Sequence, residues 1–413
     1  MTSIYRKIGR SVWLTAIGVG AVLASSYAHG ADQESIWDQI DISGELASEQ
    51  RLFFQSARSD EQLDSYQASG FFEPRVRWRS ADRKNQLQFV PYVRVDAEDG
   101  RRTHADIREA YWRHINGDWE FLAGANRVFW GVTESRHLVN IINQVDGVEN
   151  IDEEDFLGQP MIQIGKQTDM GRFDAFLMTG FRERTFPGQV GRLRDGRVIE
   201  TSRARYDSDL EEWRPDVALR YTHYIDELDI GLSLFHGTGR EPGAVEDAGT
   251  DRLVPLYTII SQAGVDLQYT TDAWLWKFEG IVREGQGDAF GAGVAGVEYT
   301  FFQINETDAD LGLLVEGLYD GRDDDVFATS LENDVFLGAR LTLNDVQDTS
   351  ALIGFVIDTK DGPGGLRVEA ERRLGDSFKL SFEGQMFLEN DANNPAAVLQ
   401  DDSLATLTLS WFF

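Results

Sequence analysis

LATLTLSWFF (residues 404–413) is the stretch whose pattern decides the fold. Apolar and hydroxyl-bearing residues alternate along it, with Ala405, Leu407, Leu409, Trp411 and Phe413 in one set and Thr406, Thr408 and Ser410 in the other. Successive side chains of a β-strand point to opposite faces, so a period of two separates an apolar face from a polar one. The stretch therefore predicts a strand with one apolar and one polar face.

The same alternation recurs along the chain. Residues 40–46, 310–317, 335–343 and 378–386 show it, and an amphipathic helix would instead repeat its apolar residues about every 3.6 positions. Each alternating segment is roughly 9–12 residues long, the length at which a tilted strand crosses a bilayer. These segments predict transmembrane strands.

Short polar turns, such as residues 116–118, alternate with long connections, such as residues 131–159. Short periplasmic turns and long extracellular loops are typical of outer-membrane barrels. Unpaired backbone groups are costly in lipid, so the sheet must close on itself. We therefore predict an all-β fold, a transmembrane antiparallel β-barrel of about 18 strands. Sixteen strands is the alternative, if residues 160–167 and 172–181 form a loop.

The N-terminus has the three parts of a secretory signal peptide. Arg6, Lys7 and Arg10 precede an apolar run over residues 12–24, and small residues follow at positions 26, 28 and 30. A membrane anchor, the alternative, needs a longer apolar run. We predict a signal peptide over residues 1–30 and the barrel over residues 31–413.

Composition excludes several functional classes. A net charge of −31 argues against nucleic acid as a partner, because its phosphates would be repelled. The chain has no cysteine, and the G-x-G-x-x-G match at residues 291–296 runs on into a strand rather than a helix. His236 offers only a weak hydrolase alternative. We predict no enzyme activity, no catalytic residue, no cofactor and no metal site.

Arginine supplies most of the basic charge, and the polar strand faces should line the lumen. The predicted pore-lining residues are Glu73, Arg75, Arg77, Arg79, Arg94, Arg220, Arg283, Arg340, Arg367 and Arg373. With Lys277 and Lys379 these faces carry eleven basic groups, against seven acids: Glu73, Asp96, Glu279, Glu316, Glu369, Glu371 and Glu383. Two interpretations stay open: a basic ladder guides anionic or carboxylate-bearing solutes, or the arginines pair with acids and stiffen the wall.

Excess acid gathers in two long connections, at residues 146–155 and 320–325. Such acids are able to bind divalent cations that bridge lipopolysaccharide. Neither connection has the full spacing of a calcium loop, so solvated charge is the favoured interpretation.

Two stretches resemble known families. The alternating strand ending in Trp411 and Phe413 resembles the C-terminal signature of bacterial outer-membrane barrels, which implies an assembly signal read by the assembly machinery. Arg127, Trp130 and Gly131, followed by Asn140, Asn143 and Asp146, resemble a group of proteobacterial outer-membrane proteins regarded as porin-like. This resemblance implies that Trp130 and the connection through Asp146 to Asp155 fold into or over the pore mouth.

Together these patterns predict a porin or solute-specific channel in the outer membrane of a Gram-negative bacterium. A structural or export-scaffold barrel for polysaccharide or lipid is the alternative, and a barrel hydrolase ranks third. The expected partners are the lipid bilayer, lipopolysaccharide, the assembly machinery and small solutes, with a homotrimer as the candidate oligomer.

Overall fold

The computed structural model describes residues 36–194, 197–250, 252–323, 326–360, 362–388 and 394–413. The signal peptide predicted over residues 1–30 lies outside the described residues and stays a prediction. The strands are β1 (Ile40–Phe53), β2 (Tyr66–Arg79), β3 (Asn85–Asp96), β4 (His104–Asn116), β5 (Trp119–Asn126), β6 (Gln159–Thr168), β7 (Gly171–Met178), β8 (Arg205–Tyr206), β9 (Asp216–Ile225), β10 (Leu228–Thr238), β11 (Gly243–Glu246), β12 (Leu253–Tyr257), β13 (Ile259–Thr271), β14 (Trp274–Glu284), β15 (Phe290–Phe301), β16 (Asp310–Asp320), β17 (Asn333–Thr342), β18 (Ser350–Asp358), β19 (Gly362–Leu374), β20 (Phe378–Phe387) and β21 (Leu404–Phe412). Short 3-10 helices cover Ile36–Gln39, Thr201–Arg203, Glu211–Trp213, Ile304–Glu306 and Pro395–Leu399.

Eighteen of the described strands form one antiparallel sheet, and the other three form a small sheet of their own. β1 pairs with β2 on one side and with β21 on the other, so the large sheet closes into a barrel. β6 and β7, the pair on which the predicted strand count depended, are hydrogen-bonded from Met161↔Met178 to Thr168↔Gly171. The prediction of 18 strands is confirmed, and the alternative of 16 is wrong.

The outer face of the barrel is apolar. On β21, Leu407, Leu409 and Trp411 are each more than 40% exposed, as their alternation predicts. Large exposed aliphatic and aromatic residues recur on the outward positions of the other strands, and such an exterior is stable in lipid. Among the described residues, no helix has the length and hydropathy that a membrane-spanning helix requires.

The two ends of the barrel differ. Short turns such as residues 117–118 close the end at which β1 begins, which is the periplasmic end in barrels of this kind. The opposite end carries long connections, including residues 127–158 and 179–215. Arg192 lies in the connection of residues 179–215 and links it to two others. Its guanidinium contacts the carboxylate of Asp402 at 2.5 Å and the carbonyl of Asp64 at 2.5 Å.

The inner face has two unlike halves. From β5 through β17 the inward positions carry buried apolar side chains, among them Phe176, Ile281, Val294, Leu314 and Phe336. From β18 through β21 and on to β4 the inward positions are largely polar or charged. The expectation of a polar lumen face on every strand is therefore wrong for the first half, because residues 127–158 enter the barrel and cover it.

Candidate functional site

Residues 127–158, the inserted segment, connect β5 to β6 through the inside of the barrel. Trp130, Leu138, Val139, Ile141 and Ile142 of this segment are buried against the apolar half of the wall. The Trp130 ring meets Phe176 edge to face, with centroids 5.7 Å apart, and the guanidinium of Arg220 lies 5.1 Å from its centroid. Burial of this apolar surface on both sides holds the segment inside the lumen.

Two buried carboxylates of the wall hold residues 132–135 of the inserted segment in place. Glu279 on β14 accepts hydrogen bonds from the backbone N–H groups of Val132 (2.7 Å) and Thr133 (3.1 Å). Glu316 on β16 accepts from the backbone N–H groups of Glu134 and Ser135, each at 2.8 Å. Both carboxylates are fully buried, and charged acceptors make the stronger class of hydrogen bond.

Asn143 and Gly131, two of the residues that resemble the porin-like group, have structural roles here. Asn143 closes the base of the inserted segment, since its amide nitrogen donates to the carbonyls of Asn126 and Leu157, each at 2.8 Å. Its amide oxygen accepts from the backbone N–H of Val128 at 2.8 Å. Gly131 has φ +140°, and a Cβ there would come within 2.9 Å of the Glu279 carboxylate. A side chain at position 131 would therefore disrupt the anchor.

A network of buried charges lies on the side of the lumen across from the apolar half, where the inserted segment meets β1, β3 and β4. Arg94 contacts Glu49 at 3.1 Å and Glu149 at 2.5 Å. Arg102 reaches the other oxygen of Glu49 at 2.7 Å and donates to the Val148 carbonyl at 2.9 Å. Because buried charges are tolerated only when paired, these contacts fix the position of the segment against this wall.

A cavity of about 670 Å³ remains between the inserted segment and the polar half of the wall. Its described lining holds ten carboxylates: Glu45, Glu49, Glu73, Glu149, Asp152, Glu154, Asp155, Glu369, Glu371 and Glu383. Five arginines line it as well: Arg51, Arg94, Arg127, Arg340 and Arg367. Its lining is thus polar, and acids outnumber bases twofold.

Arg367 sits among four of these acids. Its guanidinium lies 2.5 Å from Glu369 and 2.9 Å from Asp152, and it reaches Glu154 and Glu383 at 3.4 and 3.5 Å. One positive charge so surrounded leaves a net negative field at this place. A cation entering the cavity meets unneutralised carboxylates.

Two acids of the inserted segment, Glu154 and Asp155, line the cavity and are enclosed by the barrel wall. Enclosure raises the pKa of Glu154 to about 7, and repulsion from Asp152 contributes. Enclosure likewise raises the pKa of Asp155 to about 7, with repulsion from Glu149 and Asp152. Both carboxyls therefore change charge near neutral pH.

The structure places four of the predicted pore-lining residues around the cavity: Glu73, Arg94, Arg340 and Arg367. Arg340 contacts Glu134 of the inserted segment at 2.7 Å, and Glu73 lies 3.6 Å from Arg127. Arg94 is buried in the network described above.

The predicted ladder, Arg75, Arg77 and Arg79, lies on the inner face of β2 toward the turn end. Arg77 pairs with Asp41 at 2.8 Å, and Arg79 donates to the side chain of Gln86 at 3.2 Å. Arg75 is exposed, and no ion pair joins it to another described residue. Arg75 and Arg79 are thus exposed without an acidic partner among the described residues, and Arg77 is the ion-paired member of the ladder.

Three other predicted lumen residues lie away from the cavity. Arg220 pairs through both terminal nitrogens with Asp266, and Arg283 is buried 3.1 Å from Glu241. Arg373, at the turn end of β19, lies 2.8 Å from Asp348. For Arg220, Arg283 and Arg373 the geometry corresponds to the wall-stiffening interpretation.

The expected positive balance of the lumen does not hold in this cavity. That expectation counted strand residues alone, and the inserted segment adds Glu149, Asp152, Glu154 and Asp155 to the lining. Of the predicted pore-mouth residues, Trp130 lies in the apolar core inside the barrel and Asp146 is fully buried, 2.7 Å from Arg108.

His236, the weak hydrolase candidate, lies on the outward face of β10. Arg214 donates to its Nε2 (2.9 Å), so Nδ1 carries the proton and faces the Ser261 hydroxyl at 3.1 Å. A ring in this tautomer donates to the serine and does not act as its base.

No protein-family model matches the chain, and no curated relative matches it in sequence. Solved structures match in fold. A BenF-like porin from Pseudomonas fluorescens has a TM-score of 0.53 at 9% identity, with 91% of this chain and 98% of that chain covered. Wzi from Escherichia coli, described as a carbohydrate-binding β-barrel involved in group 1 capsule assembly, has a TM-score of 0.52 at 8% identity, with 88% and 83% covered. This chain has the porin-like β-barrel fold that these outer-membrane proteins share.

Proposed function

We propose that this barrel is a porin-like channel for the passive passage of small polar solutes. The observation that carries the proposal is the charged cavity of about 670 Å³ beside the inserted segment. A barrel of this size would be wide open without an insert, and the segment reduces the lumen to one polar region. Polar groups around a narrowed passage are what select solutes in such barrels.

The balance of charge favours cations and neutral polar solutes. Ten carboxylates line the cavity against five arginines, and each of those arginines contacts at least one acid. Anionic or carboxylate-bearing solutes, which the arginine ladder favours, have support from Arg75 at the turn end. They would still have to cross the acidic region, so we rank them second.

Liposome swelling tests the proposal directly. Proteoliposomes placed in isotonic solutions of a small neutral sugar should swell, and protein-free liposomes should not. Thr408→Trp, which places a large ring in the cavity, should slow the swelling. Leu407→Trp, on the lipid face of the same strand, should leave it unchanged. Absence of swelling with protein whose folding has been verified would contradict the proposal.

A plugged or scaffold barrel is the second candidate. The inserted segment fills the apolar half of the lumen, and Arg192 ties three connections together at the loop end. The neighbour Wzi is described as binding carbohydrate, which is compatible with a polysaccharide-related role. A barrel that stays impermeable to ions and sugars but binds polysaccharide would favour this candidate.

A further inference from the structure

Three potential metal-ligand atoms converge where the inserted segment meets β4. Nε2 of His104 lies 3.4 Å from Oδ2 of Asp146 and 3.3 Å from Oε1 of Glu149. All three atoms lie within 4.8 Å of one another. The two acids are 0% and 3% exposed, so bulk water does not solvate them.

Two of the three atoms are also the unsatisfied atoms of their side chains. In the part of the chain that the structure describes, Nε2 of His104 and Oε1 of Glu149 have no hydrogen-bond partner, while Oδ2 of Asp146 has an ion pair with Arg108 at 2.7 Å. The second heteroatom of each side chain makes a hydrogen bond. Nδ1 of His104 donates to the Arg102 carbonyl at 3.0 Å. Oδ1 of Asp146 accepts from the Thr185 hydroxyl, and Oε2 of Glu149 accepts from the Tyr92 hydroxyl at 2.8 Å. Such outer contacts orient metal ligands in proteins.

The hydrogen bond to the Arg102 carbonyl orients the ring. Nδ1 must carry a proton to donate to that carbonyl, so Nε2 is the ring atom that faces the two carboxylate oxygens and that would bind a metal in place of a proton. The two carboxylates bring two negative charges to a buried place, and Arg108 offsets only part of them. A divalent cation between the three atoms would offset the rest.

We propose that His104, Asp146 and Glu149 bind a divalent transition-metal ion of the zinc class. Metal–ligand bonds of about 2.0–2.1 Å in a tetrahedron place neighbouring ligand atoms about 3.3 Å apart. The separations of 3.4 and 3.3 Å match this edge, whereas a charge-assisted N–H···O bond is about 2.7–2.9 Å long. Imidazole together with carboxylates suits zinc and its neighbours, while calcium and magnesium prefer oxygen ligands alone.

Arg108 competes for the same acids. Its Nη2 lies 2.7 Å from Oδ2 of Asp146 and 3.8 Å from Oε1 of Glu149. Its Nη1 donates to Asp106 at 3.2 Å, and its guanidinium lies 4.3 Å from the centroid of the Tyr92 ring. Arg108 thus keeps a carboxylate and an aromatic partner when a metal takes Asp146.

A metal here would join the barrel wall to the inserted segment, because His104 belongs to β4 and both acids belong to the segment. This inference does not rest on the proposed channel function. The two are tested by different measurements, metal binding and permeation.

Cobalt is the probe, because tetrahedral Co²⁺ absorbs strongly in the visible range. Refolded protein freed of metal by a chelator is titrated with Co²⁺, and we expect visible bands that saturate at one equivalent and disappear on addition of Zn²⁺. His104→Gln should weaken Co²⁺ binding by more than about tenfold. His114→Gln, on the same strand but bonded to Asn85 near the turn end, should bind as the wild type does.

Arg108→Gln removes the competing cation and should tighten Co²⁺ binding. Folding of each variant is checked by its heat-modifiable migration on gels. If His104→Gln does not fold, wild type and Arg108→Gln still decide the question. The absence of visible bands in the wild type, or unchanged binding in folded His104→Gln, would overturn the inference.

Discussion

Thr133 donates two hydrogen bonds to one carboxylate oxygen of Glu279, from its backbone N–H at 3.1 Å and from its hydroxyl at 2.7 Å. Residue 133 belongs to the inserted segment and residue 279 to the barrel wall. The oxygen also accepts from the N–H of Val132, and its partner oxygen accepts from the N–H of Val139. One buried carboxylate therefore anchors much of the segment.

Glu279→Gln should loosen the inserted segment. The amide keeps the size of the side chain but loses its charge and replaces one acceptor oxygen with a donor. Hydrogen bonds to charged groups contribute about 1.5–3 kcal/mol each, so we expect a loss on the order of 3 kcal/mol and a lower melting temperature. Glu284→Gln, an exposed position on the same strand, is the control and should melt as the wild type does. Equal melting temperatures for the two variants would show that Glu279 is not an anchor.

Arg75, which has no acidic partner among the described residues, should influence the cation-to-anion selectivity more than Arg77, which is paired with Asp41. Arg75 is exposed, whereas Arg77 is held 2.8 Å from Asp41. Arg75→Gln should raise the ratio of cation to anion permeability, and Arg77→Gln should change it less because Asp41 already offsets the charge. Reversal potentials of both variants in the same salt gradient decide this. A larger shift for Arg77→Gln would contradict the assignment.

Cation preference should increase as the pH rises from 6 to 8. The pKa of Glu154 is raised to about 7, so its carboxyl is mostly neutral at pH 6 and mostly ionised at pH 8. Glu154→Gln should flatten this dependence in reversal-potential measurements. Glu153→Gln, an exposed neighbour that contacts Arg184, is the matched control.

The raised pKa of Glu154 should also make the stability of the barrel depend on pH. An acid whose pKa is higher in the folded state binds more protons there than in the unfolded chain. Its contribution to stability therefore falls as the pH rises from about 4.5 through about 7. Glu154→Gln should remove this part of the pH dependence of the melting temperature, and an unchanged pH profile would argue against the raised pKa.

Phe413 should contribute to barrel closure. Its backbone N–H donates to the Gly44 carbonyl at 3.2 Å, and its own carbonyl accepts from the Gly44 N–H at 3.0 Å. Its ring stacks on Phe72 at 6.0 Å between centroids. Phe413→Ala should reduce the yield of folded, heat-modifiable barrel in cells, while Phe302→Ala, an exposed residue in a periplasmic turn, should not. A normal yield for Phe413→Ala would remove the predicted assembly role.

The strands were predictable because each carries its own local alternation. Leu407, Leu409 and Trp411 lie on the outward face that their spacing predicts. The strands whose inner face is covered by the inserted segment do not show this alternation of apolar and polar residues. In β16, Leu314 is buried inside the barrel between outward-facing Leu313 and Val315. An unbroken apolar run of this kind indicates that both faces of the strand are covered, here by lipid outside and by the inserted segment inside.

The candidate sites depend on contacts between residues far apart in the chain, which no local pattern reports. His104 is more than forty residues from Asp146, and the two meet only because the inserted segment returns to β4. The acidic balance of this cavity was not foreseen for the same reason. Asp152 and Glu154 were counted with a long connection and not with the lumen, but both line the cavity.

We expect solutes to cross the barrel through the acidic cavity beside the inserted segment. The most direct test is the current through single barrels in a planar bilayer that separates two concentrations of KCl. We predict steady ohmic steps with a reversal potential of the sign that indicates cation preference, reduced when Glu369 and Glu371 are both replaced by glutamine. A folded barrel that stays silent, or one whose reversal potential indicates anion preference, would contradict the account.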